Sequence, residues 1–288
     1  MNLYQILAAA DESEAGHQAV RSAIDLAARA RADVTVMRAV PVGAMAGAGA
    51  TEASDFAGVG MERPSIQDLH QWIRTELRAQ REPPHVEVGV AAGVPAIEIC
   101  RLAERRQADL LVLGRKQRSQ LGRLLLGDTA DAVARRSTIP CLFVPPNSGP
   151  FRQVLVALDG TDRGMLVLRG ALGFALGAGA SLRMMTVEAG PPDERDELAF
   201  TLAAARSARL ESELQALLAQ KPVPGAVPTV QVRRGEIVEQ ILATVHATGA
   251  DVLVIGYHRG GLPGIIEAGS TARRVVHTAP CAVLTIPL

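Results

Sequence analysis

Short runs of apolar residues alternate with longer amphipathic segments along the first half of the chain. In the longer segments apolar residues recur three or four positions apart, as Val20, Ile24 and Ala27 do, which is typical of helices that bury one face. The short runs are apolar at almost every position, as in strands that are covered on both faces. The pattern predicts strands at 6–10, 34–40, 86–91, 110–114 and 141–145, helices at 13–30, 65–80, 95–106 and 121–136, and a loop of small residues at 43–63.

The second half shows the same alternation. Strands are predicted at 154–158, 182–187, 229–234, 252–256 and 282–286, and helices at 197–218 and 236–247, with one more helix ending near 178 and another before the last strand. Apolar strands that alternate with helices form parallel sheets, because each parallel connection needs a crossover, and right-handed crossovers place helices on both faces. We therefore predict an α/β fold with two tandem, doubly wound, five-stranded parallel sheets.

An internal repeat relates the two halves. The matching pairs, in chain order, are LYQILAAAD (3–11) with FRQVLVALD (151–159), ADLLVLG (108–114) with ADVLVIG (250–256), LLLGDTADAV (124–133) with IIEAGSTARRV (265–275), and TIPCLFVP (138–145) with TAPCAVLTIP (278–287). Between the copies lies PPNSGP (145–150), whose prolines and glycine interrupt regular structure. We predict two domains, 1–146 and 151–288.

Charge and lysine content exclude two classes of nucleic-acid or nucleotide binder. The chain has 30 basic and 30 acidic residues, so it lacks the basic excess of a non-specific nucleic-acid-binding protein. Only Lys116 and Lys221 are lysines, and neither follows a G-x-x-x-x-G pattern, which excludes a P-loop.

Compartment and metal content are predicted from other features. No apolar run approaches the roughly 18 residues that span a bilayer, and the N-terminus lacks the basic region of a signal peptide. Three cysteines, an odd number, suit the reducing cytoplasm better than a disulfide framework. The six histidines lack metal-binding spacing, so we predict no metal site and a cytoplasmic protein without membrane contact.

Candidate ligand-binding residues follow the strands. In an open parallel sheet, ligands bind beyond the carboxyl ends of the strands where the strand order reverses. Asp11 and Asp159 end the first strand of each copy, and Gly114 and Gly256 end the fourth. The helix after the fourth strand adds free backbone N–H groups that favour an anion.

A spaced glycine motif follows the fourth strand in both copies. The first copy carries Gly114, then Gly127-Asp128-Thr129, and the second carries Gly256, then Gly269-Ser270-Thr271. Both chain halves thereby resemble the universal stress protein family, whose ATP-binding members carry G-x-x-G, nine residues, then G-[S/T]. The inner glycine is replaced by Gln117 in the first copy and by Arg259 in the second.

The resemblance implies an adenine nucleotide alpha-hydrolase-like fold and an adenine-nucleotide-binding stress-response regulator, with ATP and Mg²⁺ as ligand and no catalytic residues. In this family the strand-one aspartate contacts the adenosine, the end of strand two lines the base, and the glycine loop holds the phosphates. The second site then comprises Asp159, Thr186, Val187, Gly256, His258, Arg259, Gly269, Ser270 and Thr271. The first comprises Asp11, Ala39, Val40, Gly114, Gly127 and Thr129.

The two sites are not expected to be equal. Arg259 and His258 are able to donate hydrogen bonds to phosphate, whereas Asp128 repels it, so the second site is predicted to bind better. Family members also pair through their fifth strands, which implies an intramolecular pseudo-dimer of the halves and a homodimer of chains.

Alternatives remain open at this stage. The missing inner glycines also fit a stress adaptor that binds no nucleotide, and a slow ATPase is a third reading. The two strand-one aspartates also suit caps of the following helices. Cys141 and Cys281, each after a proline, are predicted to be inert buried thiols.

Overall fold

Strands and helices alternate in the computed structural model as the sequence predicts. It describes residues 2–40, 63–115, 127–188, 197–258 and 270–288, without the side chains of 63–66, 197–200, 203 and 270. The predicted loop at 43–63 lies outside the described residues as far as residue 62.

Each half has its own set of elements. Those of the first half are β1 (Gln5–Ala9), α1 (Glu14–Ala30), β2 (Asp33–Val40), α2 (Arg63–Arg78), β3 (Val86–Ala92), α3 (Pro95–Arg105), β4 (Leu110–Gly114), α4 (Asp128–Arg136) and β5 (Cys141–Val144). Those of the second half are β6 (Gln153–Leu158), α5 (Asp162–Ala178), β7 (Ser181–Glu188), α6 (Glu197–Gln220), β8 (Val230–Arg234), α7 (Ile237–Thr248), β9 (Val252–Tyr257), α8 (Ser270–Thr278) and β10 (Ala282–Pro287). The chain separates into two compact units between Asn147 and Ser148.

All described strand pairs within each half are parallel. The order is β3-β2-β1-β4-β5 in the first half and β8-β7-β6-β9-β10 in the second. The chain moves outward from β1 through β2 to β3 and then returns to the other side of β1. Because crossovers are right-handed, this reversal places the helices of the two directions on opposite faces. The predicted doubly wound α/β fold is therefore confirmed.

The strands next to the reversal form the core of each half. Ile6 lies opposite Leu110 in the first half, and Val154 lies opposite Val252 in the second. These four side chains are at most 1% exposed. Their complete burial explains why the sequence here is apolar at successive positions instead of alternating.

Two details differ from the predicted elements. A helix is predicted to begin at residue 121, but α4 begins at Asp128. Gly127 is its N-cap residue and is extended, with φ −68° and ψ 157°. The segment 121–126 lies outside the described residues. The second difference concerns the cysteines. Cys141 of β5 lies opposite Leu111 of β4. Leu253 of β9 is the equivalent of Leu111, and it lies opposite Val283 of β10. Cys281 therefore precedes its strand and is not the structural counterpart of Cys141.

An aspartate fixes the start of the first strand in each half. The Oδ2 atom of Asp109, just before β4, accepts hydrogen bonds from the backbone N–H groups of Tyr4 at 2.8 Å and Gln5 at 3.0 Å. Asp251, just before β9, does the same for two successive N–H groups at the start of β6, both at 2.9 Å. The two aspartates occupy equivalent positions in the sequence repeat, and the structure shows that both anchor the start of the first strand.

Replacing Asp251 with alanine removes the acceptor of two backbone N–H groups at once. We expect the free energy of unfolding to fall by about 1–2 kcal/mol, because only water replaces a charged acceptor. Asp251→Asn keeps one side-chain oxygen in place and should lose less. Urea denaturation of the three proteins measures the difference. Equal stability of wild type and Asp251→Ala would contradict this role.

Candidate functional site

A cavity opens in the second half where the strand order reverses. It lies at the carboxyl ends of β6 and β9 and has a volume of about 260 Å³. Most of its wall is apolar, with Val187 from β7, Ile237 and Ile241 from α7, Val275 from α8, and Leu288. Such a wall suits the flat faces of an aromatic ring.

Three polar side chains interrupt this apolar wall. They are the carboxylate of Asp159, the imidazole of His258 and the hydroxyl of Thr271. Thr271 is the second residue of α8, so the N-terminus of that helix, with its free backbone N–H groups, opens onto the cavity.

The carboxylate of Asp159 is held by the turn that starts α5. Its Oδ1 atom accepts from the backbone N–H of Thr161 at 3.0 Å and from the hydroxyl of Thr161 at 2.8 Å. Thr161 is itself the N-cap of α5, because its hydroxyl oxygen accepts from the N–H of Gly164. Within the described residues, Oδ2 of Asp159 accepts no hydrogen bond. One oxygen is thus fixed, and the other remains available to a donor in the cavity.

The first half has the same turn. Oδ1 of Asp11 accepts from the N–H and the hydroxyl of Ser13, and Ser13 caps α1 through the N–H of Gly16. The interpretation of Asp11 and Asp159 as helix caps is therefore wrong in detail. The capping groups are the hydroxyls two residues later, and the aspartates orient those hydroxyls.

A glycine leaves room for each carboxylate. A Cβ atom on Gly164 would lie 2.9 Å from Oδ1 of Asp159, and one on Gly16 would overlap Oδ1 of Asp11. Real Cβ atoms do not approach other atoms so closely. Both halves therefore share a pattern, D-x-[S/T]-x-x-G at 11–16 and 159–164, that the sequence analysis missed. The internal repeat was the signal that would have revealed it.

The glycines that end the fourth strands serve close packing. Gly114 and Gly256 lie within β4 and β9, and neither has a positive φ. A Cβ on Gly114 would lie 2.5 Å from the carbonyl carbon of Ala15, and one on Gly256 would lie 2.6 Å from Cδ1 of Leu288. Gly127 likewise has a negative φ, at −68°.

The first half has a smaller cavity at the equivalent place. Its volume is about 140 Å³, and its lining includes Asp11, Ala39, Gly114 and Thr129. The structure thus brings together four of the six residues predicted for this site. Val40 does not line the cavity, because side chains on successive strand residues point to opposite faces. Gly127 does not line it either, and no described atom lies within 4 Å of a Cβ built on it.

Five of the residues predicted for the second site line the larger cavity: Asp159, Val187, Gly256, His258 and Thr271. Thr186 does not, for the same reason of strand alternation, and its side chain is 9% exposed. Arg259 and Gly269 lie outside the described residues. Ser270 is the first residue of α8, and its side chain is not described.

The sequence of each half matches one family model. The model, described as Universal stress protein family, matches residues 4–145 and again residues 150–287. The chain belongs to the universal stress protein family. The predicted resemblance is confirmed for both halves of this tandem universal stress protein.

Known relatives match this tandem universal stress protein in part or over its whole length. Universal stress protein MJ0531 of Methanocaldococcus jannaschii is 28% identical over 50% of this chain and 83% of its own. Stress response protein NhaX of Bacillus subtilis is 26% identical over 49% of this chain and 96% of its own. A crystal structure of a universal stress protein from Archaeoglobus fulgidus covers 98% of both chains with a TM-score of 0.71 at 18% identity, a likeness of fold.

No helix in the described part of this universal stress protein is long and apolar enough to cross a membrane. Among the same residues, no group of three or more His, Cys, Asp or Glu side chains is placed to hold a metal ion.

The cysteine of β5 is chemically shielded. Cys141 is 1% exposed, and burial raises the pKa of its thiol to about 12. Cys100 on α3 is half-buried, and burial together with nearby Glu104 raises the pKa of its thiol as well. Cys281, which precedes β10, is more accessible than Cys141.

At pH 8 we expect iodoacetamide to leave Cys141 unmodified in the folded protein, because only the thiolate reacts and a pKa of about 12 leaves about one thiol in ten thousand ionised. Cys281 should react first, and all three cysteines should react in denaturant. Peptide mapping by mass spectrometry identifies the modified residues. Modification of Cys141 in the folded protein as fast as Cys281 would contradict its burial.

Proposed function

We propose that the second half of the chain, 151–288, binds an adenine nucleotide, ATP with Mg²⁺, and that the protein is a nucleotide-dependent regulator of the stress response. The family resemblance and the names of its relatives suggest the stress role. The observation that carries the ligand is the larger cavity, which combines an apolar slot with the available Oδ2 atom of Asp159.

The residues present fit the chemistry of this ligand. Val187, Ile237 and Ile241 offer apolar contact to the faces of an adenine ring. Oδ2 of Asp159 accepts from a ribose hydroxyl or an amino group. The N-terminus of α8, with the hydroxyl of Thr271, supplies donors that suit phosphate oxygens. Arg259, Gly269 and Ser270 remain predicted members of this phosphate site.

We propose that the first half, 1–146, binds nucleotide far more weakly and serves as an interaction module. Its cavity is about half as large as that of the second half. Asp128 is the first residue of α4, where a phosphate would otherwise bind. Its negative charge opposes that of a phosphate.

The remaining expectations from the sequence stay proposals. Three free thiols fit a cytoplasmic protein. Pairing of the halves through their fifth strands and a homodimer of chains stay predictions.

Nucleotide carried through purification tests the proposal. The protein is denatured, and the supernatant is analysed by anion-exchange chromatography. We expect about one adenine nucleotide per chain in wild type and in Asp11→Ala, and loss of it in Asp159→Ala, because only the second site holds the ligand. Asp11→Ala removes the same group from the same turn and is the matched control. Wild-type protein that is empty and also fails to bind added MgATP would overturn the proposal.

A methyl group at Gly164 should weaken binding without unfolding the protein. The new Cβ would lie 2.9 Å from Oδ1 of Asp159 and would displace the carboxylate. We expect Gly164→Ala to lower MgATP affinity by about tenfold, or about 1.4 kcal/mol. The helix itself gains up to about 1 kcal/mol from alanine, which offsets the strain in thermal stability.

Gly16→Ala adds a methyl group at the equivalent place in the first half, where it also meets the backbone N and O atoms of Asp11 at 2.8 and 2.9 Å, and should leave MgATP affinity unaltered. Isothermal titration calorimetry gives the affinities, and thermal denaturation gives the stabilities. If both alanine variants bound MgATP as wild type does, the carboxylate of Asp159 would have no part in binding.

A further inference from the structure

Arg163 lies beside the second cavity in the first turn of α5. Its side chain is exposed, and its Nη1 atom lies 3.4 Å from Nδ1 of His258, which lines the cavity. A guanidinium group only donates hydrogen bonds, so the imidazole nitrogen is the acceptor in this contact. The contact ties a positive charge to a residue of the cavity wall.

Two other arginines near this cavity are paired with carboxylates. Arg234 pairs with Glu188, which follows Val187, at 3.2 Å, and Arg274 pairs with Glu236, which precedes Ile237, at 2.8 Å. In the described part of the chain, Arg163 has no such ion pair, and its recorded partner is an imidazole. Its charge is therefore available to an anion.

The acidic neighbour of Arg163 is already engaged. Oδ1 of Asp162 lies 2.6 Å from Nη2 of Arg209 on α6. Asp159 directs Oδ1 to Thr161 and lies in no ion pair among the described residues. The local carboxylates thus leave the charge of Arg163 unmatched at short range.

The position of Arg163 is unfavourable for the helix. A positive charge in the first turn opposes the helix dipole, which favours acidic residues there. The equivalent residue of the first half is Ala15, which carries no charge. Arg163 therefore destabilises its own helix, and the first half has no such residue. An unfavourable residue of this kind, present in one copy alone, indicates a role in ligand binding by that copy.

We infer that Arg163 is the specificity-determining residue that holds the anionic end of the ligand in the second site, and that His258 positions its guanidinium. This inference rests on the proposed binding of an adenine nucleotide. It assigns the selection of a phosphorylated ligand over a bare nucleoside to a residue outside the glycine motif.

Binding of ATP and of adenosine to the full chain separates this role from a structural one. We expect Arg163→Ala to lower the affinity for ATP at least about tenfold, the scale of one charge-assisted hydrogen bond, and to leave the affinity for adenosine within about twofold of wild type. Arg163→Lys keeps the charge and should recover part of the loss. Arg169→Ala removes an exposed arginine from the same helix, away from the cavity, and should leave both affinities unaltered.

The outcomes distinguish the two proposals. Wild type that binds both ligands, with Arg163→Ala impaired for ATP alone, supports the inference. Equal ATP affinity of wild type and Arg163→Ala, or an equal loss for ATP and adenosine, overturns the inference and leaves nucleotide binding in place. Wild type that binds neither ligand overturns the proposed function and this inference with it. Thermal denaturation of Arg163→Ala serves as the fold control, and we expect no loss of stability, because the helix dipole favours the change.

Discussion

Packing around the glycine at the end of the fourth strand determines how the first helix lies against the sheet in each half. In the first half the backbone of α1 lies against Gly114 so closely that no side chain fits between them. In the second half Val167 of α5 and Leu288 together fill the space beside Gly256. The turn that carries the aspartate is the start of that same helix. In the first half, therefore, Gly114 lets the start of the helix that carries this turn lie directly against the sheet.

The two halves keep this framework and differ in the side chains around it. The last pair of the β2–β3 ladder is Val40 with Ala92, and the equivalent pair of the β7–β8 ladder is Glu188 with Arg234. Backbone pairing is the same in both because parallel ladders depend little on which side chain they carry. After a duplication, side chains at such strand ends diverge more readily than the backbone pairing of the sheet.

Much of this structure could be predicted from the sequence. The apolar runs predict the strands closely because burial on both faces leaves little room for polar residues. Asp11, Asp159, Gly114 and Gly256 could be identified because the chain repeats them and the strand ends bring them together. The bounds of α4 were less predictable, since a glycine in an apolar segment fits both a helix and a break.

Other parts could not be read from the pattern. Whether Thr186 or Val187 faces the cavity depends on the register at the end of a strand, and both residues suit either face. Gly164 lies inside a helix, where a glycine has no evident purpose until the carboxylate beside it is located. In the sequence repeat, Cys141 aligns with Cys281 because each follows a proline. In the structure, the register of the strands makes Val283 the equivalent of Cys141, because these two residues lie opposite the equivalent residues Leu111 and Leu253.

Unequal cavities in one covalent chain have a consequence for signalling. A symmetric dimer with two identical sites passes through a state in which one site is filled. The steepness of its binding curve depends on how strongly the two sites influence each other. If only the larger cavity binds the ligand, as proposed, occupancy follows ligand concentration as a simple hyperbola. Under that proposal the protein reports the level of its ligand in a graded manner, and the first half of the chain is free to recognise whatever reads that report.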